Sequence, residues 1–302
     1  MCEMWKSVKD ERELTIEEWK SVIIKLRSLL DPQAEICFTG GEPLLKTGIL
    51  RLIRFVTEIG FRTSLNTNAY LIDEEMAQAI SQSSLWSITI SLESLNESTH
   101  DFIRDTSGSY RRVMNAIECL STFCDNLNIG LPTVILDRNL DDIIDLAQWT
   151  QNNKKLHSIR FQAMMQPLDT PEDKEWHKND RYNSLWPKDV DKVCSVLDTL
   201  IRQKEKGELG KLSNSISQLK VFQDYFRNLS ALHRVKECIF SDFVMNINHI
   251  GDIYLCPNMK SLGNVKADDM NKIWHSDVTD QTREQIRRCE RSCHIVINCF
   301  WE

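Results

Sequence analysis

No run of apolar residues in this 302-residue chain reaches the ~20 that a membrane-spanning helix needs, and no signal-peptide pattern opens it. The chain reads as cytosolic (cytoplasmic), with no membrane partner. Positive charge is also short: 37 Lys and Arg stand against 44 Asp and Glu, a formal net charge of −7. A nucleic-acid-coating protein wants a concentrated basic face, and only Arg283, Arg287, Arg288 and Arg291 gather locally. A solvated helix face explains them at least as well as a binding patch, so no nucleic-acid partner is expected. Walker loop, dinucleotide glycine fingerprint and Ser/His/Asp constellation are all missing. His157, His177, His233, His249, His275 and His294 have no mutual metal-ligand spacing and read as surface or packing residues.

What is present is an ordinary globular composition, 41% hydrophobic and 27% charged, with ten cysteines. That length allows one large or two modest domains. In a reducing compartment, clustered cysteines are more often metal ligands or catalytic groups than disulfides. Cys37, Cys119, Cys124 and Cys194 are scattered through apolar segments and read as buried, inert thiols.

Between residues 15 and 206 helical and strand patterns alternate. Thr15-Ile16-Glu17-Glu18 is a capping box, after which Ile16, Trp19, Ile23, Leu26 and Leu30 share one helix face. Strands are expected at 34–38, 61–66, 85–92, 127–136 and 156–164. Between them lie helices from Leu45 to a stop at Gly60, after an Asp73 cap, from Ser109, and after an Asn139 cap; a last one carries Val190, Val193, Leu197 and Leu200. Such alternation indicates parallel β/α units with right-handed crossovers. Gln166 to Trp186 reads as a long loop at the barrel mouth. Residues 207–236 read as a hinge and a helix leading to a second domain at 237–302.

The first strand ends in Phe38-Thr39-Gly40-Gly41-Glu42-Pro43. Two adjacent glycines bring backbone carbonyls close to a ligand, and Glu42 sets an acceptor beside them, which suits a cationic amine better than a phosphate. The tail holds Cys238, Cys256, Cys289, Cys293 and Cys299. A β-hairpin turning at Gly251 brings Cys238 near Cys256, and Cys289-x3-Cys293-x5-Cys299 adds thiols from a helix end and the following loop. Four thiolates suit a [4Fe–4S] cluster or a structural zinc.

Met1-Cys2, the Thr-Gly-Gly-Glu-Pro loop and the tail spacing together resemble the radical S-adenosylmethionine (SAM) enzymes with a SPASM or Twitch extension. The resemblance spans nearly the whole chain. It implies an α/β fold: a partial (β/α)6 TIM-like open barrel lacking its first strand over residues 1–206, plus a small C-terminal iron–sulfur domain. Cys2 resembles the third cysteine of Cys-x3-Cys-x2-Cys, so the chain is expected to begin inside that motif and to be inactive as it stands. Gly40, Gly41 and Glu42 would hold the methionine amine, and Asn68, Ser91 and Glu93 would lie near the cofactor, the last two at its ribose. Arg104 would meet the methionine carboxylate, with a plain surface ion pair as the competing reading. An Asx turn before Tyr70 competes at Asn66-Thr67-Asn68. One auxiliary [4Fe–4S] cluster on Cys238, Cys256, Cys289 and Cys293, with Cys299 as fifth candidate, fits the five tail cysteines. The implied activity is that of an oxidoreductase or maturase: reductive cleavage of SAM to a 5′-deoxyadenosyl radical that abstracts a hydrogen from a peptide or small molecule. An electron donor such as flavodoxin or ferredoxin would supply the reduction. A non-catalytic metal-binding module with a degenerate SAM site is the alternative.

Overall fold

The structure is a computed structural model and describes residues 13–167, 170, 173–229, 231 and 238–299. Helix α1 (Ile16–Leu26) opens it, held by the Thr15–Glu18 capping box in both directions. Four β/α steps and a fifth strand follow: β1 (Glu35–Phe38), α2 (Ile49–Glu58), β2 (Arg62–Thr67), α3 (Glu74–Ser81), β3 (Ser87–Ile90), α4 (Glu97–Arg104), α5 (Ser109–Phe123), β4 (Asn128–Ile135), α6 (Ile143–Asn152) and β5 (Ser158–Ala163). The strands pair in sequence order, every neighbour parallel. Monotonic order with crossovers of one hand puts all the helices on one face of the sheet and leaves the other as a lumen.

Side-chain alternation along the strands sorts the two faces. Leu65, Ile88, Ile90, Ile129, Leu131, Ile135, Ile159 and Phe161 are buried against the helices in one core. The opposite face is polar: Ser64 bonds Glu35, Asn66 donates to Cys37 Sγ at 3.6 Å, and Thr89 Oγ1 donates to Asn66 Oδ1 at 2.7 Å. Cys37 thus corrects its sequence reading. It is exposed, because it alternates onto the lumen face of an end strand, whereas Cys119 and Cys194 are buried and Cys124 is half-buried.

Two further details depart from expectation. Asn139 does not cap α6; it sits in a 3₁₀ turn, and Asp142 occupies the N-cap position. The Asn139 amide instead donates to Glu93 O and Val134 O and accepts from Leu136 N, knitting the ends of β3 and β4 together. The helix expected from Leu45 starts as a 3₁₀ turn, Pro43–Leu45, and restarts at Ile49.

After β5 come the short α7 (Asp180–Asn183), then α8 (Val190–Glu205) and α9 (Ile216–Arg227). Trp176, Tyr182 and Trp186 pack ring to ring, and Trp186 also meets Tyr225 and Phe226 of α9, which seats this stretch on the core. Leu219 and Phe222 of α9 belong to the same core as the sheet. The tail then forms a three-stranded antiparallel sheet, β6 (Asn246–Ile247), β7 (Asp252–Tyr254) and β8 (Gly263–Asn264), followed by α10 (Met270–Trp274), α11 (Asp277–Arg287) and α12 (His294–Asn298). The hairpin turns at Gly251, whose φ of +94° a Cβ would strain. Among the described residues no helix is long and apolar enough to cross a membrane.

The outer edge of β5 is closed by three devices. Ile159 exchanges backbone bonds with Lys211 and Ser213. The Asn214 amide both accepts from Phe161 N (2.7 Å) and donates to Phe161 O (2.9 Å). Asn298 does the same for Ala163, at 2.8 and 2.9 Å. Each amide imitates one residue of a missing neighbour strand. Asn298→Ala would leave a buried N–H and a buried C=O without partners, each worth about 1–3 kcal/mol. Urea unfolding of Asn298→Ala is expected to show a loss of about 2–4 kcal/mol, with Asn298→Asp intermediate because it keeps the acceptor. A loss below about 0.5 kcal/mol, the scale of an ordinary surface change, would show that water replaces the amide.

Candidate functional site

The carboxyl ends of parallel strands are where α/β folds place ligands, and the loops after β1, β2 and β3 here meet at one cavity. Its volume is about 1790 Å³, and Gly40, Gly41, Asn68, Ser91, Glu93 and Arg104 all line it. Six of the seven residues singled out for cofactor contact are therefore brought together. The seventh, Glu42, lies behind the lining. Its carboxylate caps the Pro43–Leu45 turn, accepting from Leu44 N at 3.1 Å, and accepts from Thr67 Oγ1 at 2.8 Å and Asn68 N at 2.9 Å. Three of the roughly four lone-pair positions of a carboxylate are thus used, and one remains. Glu42 clamps the end of β1 to the end of β2, which sets where the two glycines stand.

The glycines themselves differ. Gly40 has φ +147°, a conformation that L side chains rarely adopt. Gly41 has an ordinary φ, and among the described residues a Cβ built on it meets nothing within 4 Å. Neither backbone angle nor crowding requires glycine at 41; only the cavity beyond it benefits. At Asn68 the Asx reading also holds, since its Oδ1 accepts from Tyr70 N at 2.8 Å.

Glu93 is only 2% exposed. Its carboxylate accepts from Val134 N at 3.0 Å and pairs with Arg104 at 3.4 Å. The Val134 bond has a structural cause. Pro132 has no N–H to give β3, the ladder between β3 and β4 ends at Gly130, and Glu93 takes over the next N–H on that side. Burial raises the Glu93 carboxyl pKa, against the pull of Arg104 and the Val134 bond. Arg104 is held in an ion pair, the competing reading of the sequence, while retaining further guanidinium donors toward the cavity it lines. Behind them His100 accepts from Glu93 N through Nδ1 at 3.1 Å, with Nε2 3.2 Å from Ser109 Oγ. Asp101 accepts from Gly108 N and Tyr110 N and so fixes the turn between α4 and α5.

The tail cysteines form a second group. Cys256 lies in an apolar cluster with Leu255, Ile286 and Ile295, and Cys238 and Cys293 pack against it. Burial raises the Cys256 thiol pKa, and Cys293, Cys238 and Cys289 each raise it further by their proximity. Burial and Cys289 likewise raise Cys293. Cys299 is pushed up to about 11, first by burial, with Arg160 opposing and Cys293 and Cys238 reinforcing. Among the described residues no three His, Cys, Asp or Glu side chains converge closely enough to hold a single metal ion. The chemistry of the donor set is soft thiols, in mutual electrostatic reach, inside an apolar cage, and that suits an iron–sulfur cluster. Cys2 lies outside the described residues.

What sequence reasoning missed at the site is Arg160 and Gln162, which face the cavity from β5, and His294 beside them. The signal was available: positions 158, 160 and 162 alternate with the apolar Ile159, Phe161 and Ala163, which marks them as the lumen face.

Known proteins resemble the chain in both halves. The family model of the radical SAM superfamily matches residues 1–150, and that of the SPASM iron–sulfur cluster-binding domain matches residues 238–300. An Fe-coproporphyrin III synthase of Methanosarcina barkeri is 31% identical over 138 residues, 46% of this chain and 33% of that protein. An uncharacterized protein of Methanocaldococcus jannaschii is 25% identical over 275 residues, 88% of this chain and 83% of that one. Streptococcus suis SuiB, solved bound to its precursor peptide SuiA, superposes with a TM-score of 0.67 at 15% identity, covering 97% of this chain and 65% of SuiB. At that identity the likeness shows the fold. The chain spans about a third of the length of the first curated relatives it matches.

A pH test follows from His100. Burial, helped by Arg104 and opposed by Asp101, lowers its pKa from 6.5 to about 4. A group depressed in this way contributes its full stability above the unfolded value, 6.5, and loses it as pH falls toward about 4. The stability difference between wild type and His100→Gln is expected to shift by about 2–3 kcal/mol against wild type between neutral pH and pH 4, by urea unfolding. Glu93 titrates in both proteins, so its contribution largely cancels. A difference that is flat with pH would mean that the imidazole is hydrated.

Proposed function

We propose that this chain, which belongs to the radical SAM superfamily and carries a SPASM-type iron–sulfur domain, binds SAM at the carboxyl ends of β1 to β3 and serves hydrogen abstraction from a peptide or small-molecule substrate. Its cofactors are those of the family, SAM and [4Fe–4S] clusters. The single observation that carries the SAM assignment is Gly41, which among the described residues has no conformational or packing reason to lack a side chain, in the wall of a cavity. Close approach of a ligand to the backbone is the reason that remains.

In this reading the rim of Gly40 and Gly41 presents carbonyls to the SAM ammonium, and the fourth lone-pair position of Glu42 adds an acceptor. Ser91 offers its hydroxyl to the ribose, beside the Glu93–Arg104 pair, and Asn68 bounds the opposite wall. Cys238, Cys256, Cys289 and Cys293 would hold an auxiliary cluster, with Cys299 standing by as the fifth thiol. Cys2 would help hold a second iron–sulfur site, which when bound and reduced would supply the electron that cleaves SAM. The apolar helix-side core and the seated aromatics of residues 176–186 back the lumen walls. A peptide substrate is supported by the cavity's size and by the fold shared with SuiB, which was solved with its precursor peptide. The reducing cytoplasm, with a flavodoxin or ferredoxin as electron donor, is the setting in which such thiols persist.

Gly41→Val tests the SAM site. Because a Cβ at 41 meets nothing within 4 Å among the described residues, stability should change by less than about 1 kcal/mol, while SAM affinity in a calorimetric titration should fall at least about tenfold. Unchanged affinity in a folded variant would remove SAM from this wall. For the tail, anaerobically reconstituted protein is expected to hold iron and sulfide on the four named cysteines, and Cys256→Ser to lose that share together with its brown absorbance. Stoichiometric zinc without the chromophore would reject the assignment.

A further inference from the structure

β5 turns Ser158, Arg160 and Gln162 toward the lumen, and all three line the cavity. Their in-register neighbours on β4 are Gly130, Pro132 and Val134, none of which has a side-chain acceptor. Among the described residues neither the Arg160 guanidinium nor the Gln162 amide has a hydrogen-bond or ion-pair partner. The acids in the cavity wall are elsewhere engaged: Glu93 with Arg104, Glu97 with Arg111, Asp101 with the backbone of Gly108 and Tyr110, while Asp105 is exposed at the end of α4. Beside Arg160 the space over Gly130 is taken by Ser158 Oγ, which a Cβ at 130 would crowd at 2.9 Å. The one titratable group on which Arg160 is seen to act is the Cys299 thiol, a weak acid, so among the described residues no carboxylate occupies the fork of this half-buried guanidinium.

We infer that Arg160, with Gln162 beside it, is the substrate-recognition point of this cavity and that it receives a carboxylate. The planar guanidinium fork matches two carboxylate oxygens, and the Gln162 amide can donate to the same group. A phosphate is a poorer fit, because β5 offers one cation, Arg160, with the neutral Gln162 as its lumen neighbour, while Arg104 of the same cavity is already paired with Glu93. The placement leaves room for a cofactor. β5 is four strands from β1, about 19 Å along the sheet at the usual strand spacing, so a substrate anchored at Arg160 reaches back toward the Gly40–Gly41 wall. This assignment rests on the reading of the cavity as a joint cofactor and substrate site, and it names the substrate's anchoring group.

The test uses glutarate as a carboxylate probe and glutaramide as its neutral isostere, titrated into the intact protein while the arginine side-chain Nε–H NMR signals are followed. One signal, absent in Arg160→Gln, is expected to shift saturably with glutarate and not with glutaramide. Arg160→Gln should weaken glutarate binding at least about tenfold, and Arg160→Lys, which keeps the charge but loses the fork, should fall between. If Arg160→Gln fails to fold, Arg160→Lys and the wild-type titration carry the result. Equal responses to both probes, a glutarate response that survives in Arg160→Gln, or no Arg160 response at all would overturn the inference. SAM binding is measured in parallel. If it stays intact and sensitive to Gly41→Val while glutarate gives no Arg160 response, the carboxylate assignment fails and the SAM reading stands.

Discussion

The outer edge of β5 is the constraint on which the rest of the molecule leans. A parallel sheet that does not close leaves a row of unpaired backbone groups, and here two asparagine side chains and one short stretch of backbone satisfy them. Gln218 joins the two asparagines. Its Oε1 accepts from Asn214, and its Nε2 donates to Ile297 O and Asn298 O at 2.9 and 3.1 Å. Gln218 is a buried amide on α9, so barrel, helix and C-terminal tail share one polar network with no loose end. A partly satisfied network of this kind would be worse than an apolar seam. Completing it therefore requires all three elements at once.

The other end of the sheet is held by different physics. Leu14, Val22 and Leu26, on α1 and just before it, form one apolar cluster with Ile253, Val265, Met270 and Ile273 of the tail. Leu14 N donates to His249 O at 2.8 Å, and Lys266 pairs with Glu18 at 3.0 Å. The exposed ion pair adds little, and the buried apolar contact carries this junction. The tail accordingly touches the element before β1 and the edge of β5. It spans the two ends of an open sheet, and the thiols it carries are fixed relative to the lumen by contacts on both sides.

Much of the fold was legible because parallel β/α units write a local code. Apolar strands, amphipathic helices and stop residues such as Gly60 lie close together in sequence, and all five strands fall where the pattern put them. The misses share a cause. Asn139 looks like a helix cap, yet its amide serves Glu93, 46 residues away. Asn298 bonds Ala163 across 135 residues. Nothing in the flanking sequence of a lone asparagine reveals a partner at that distance. Cys37 was misplaced because a short apolar strand hides which of its two faces is solvent, and that is decided by neighbours. At the site the Gly-Gly-Glu loop was legible as a motif, but the threefold use of Glu42 by Leu44, Thr67 and Asn68 was not.

That use of Glu42 changes how the site is to be understood. A carboxylate with three protein donors is a rigid fixture, and its value to a ligand lies in one remaining direction. The same holds for Glu93, whose oxygens are set by Val134 N–H and Arg104 before any ligand arrives. Both acids are oriented by the ends of adjacent strands, so the rim is preorganised by the sheet itself and binding has little reordering to overcome. β5 supplies the contrast. Its lumen side chains are carried on a bonded edge, yet among the described residues the polar atoms of Arg160 and Gln162 are uncommitted. Among the described residues the acids of the β1 to β3 wall are bonded in advance, and the guanidinium and amide of the β5 wall are not.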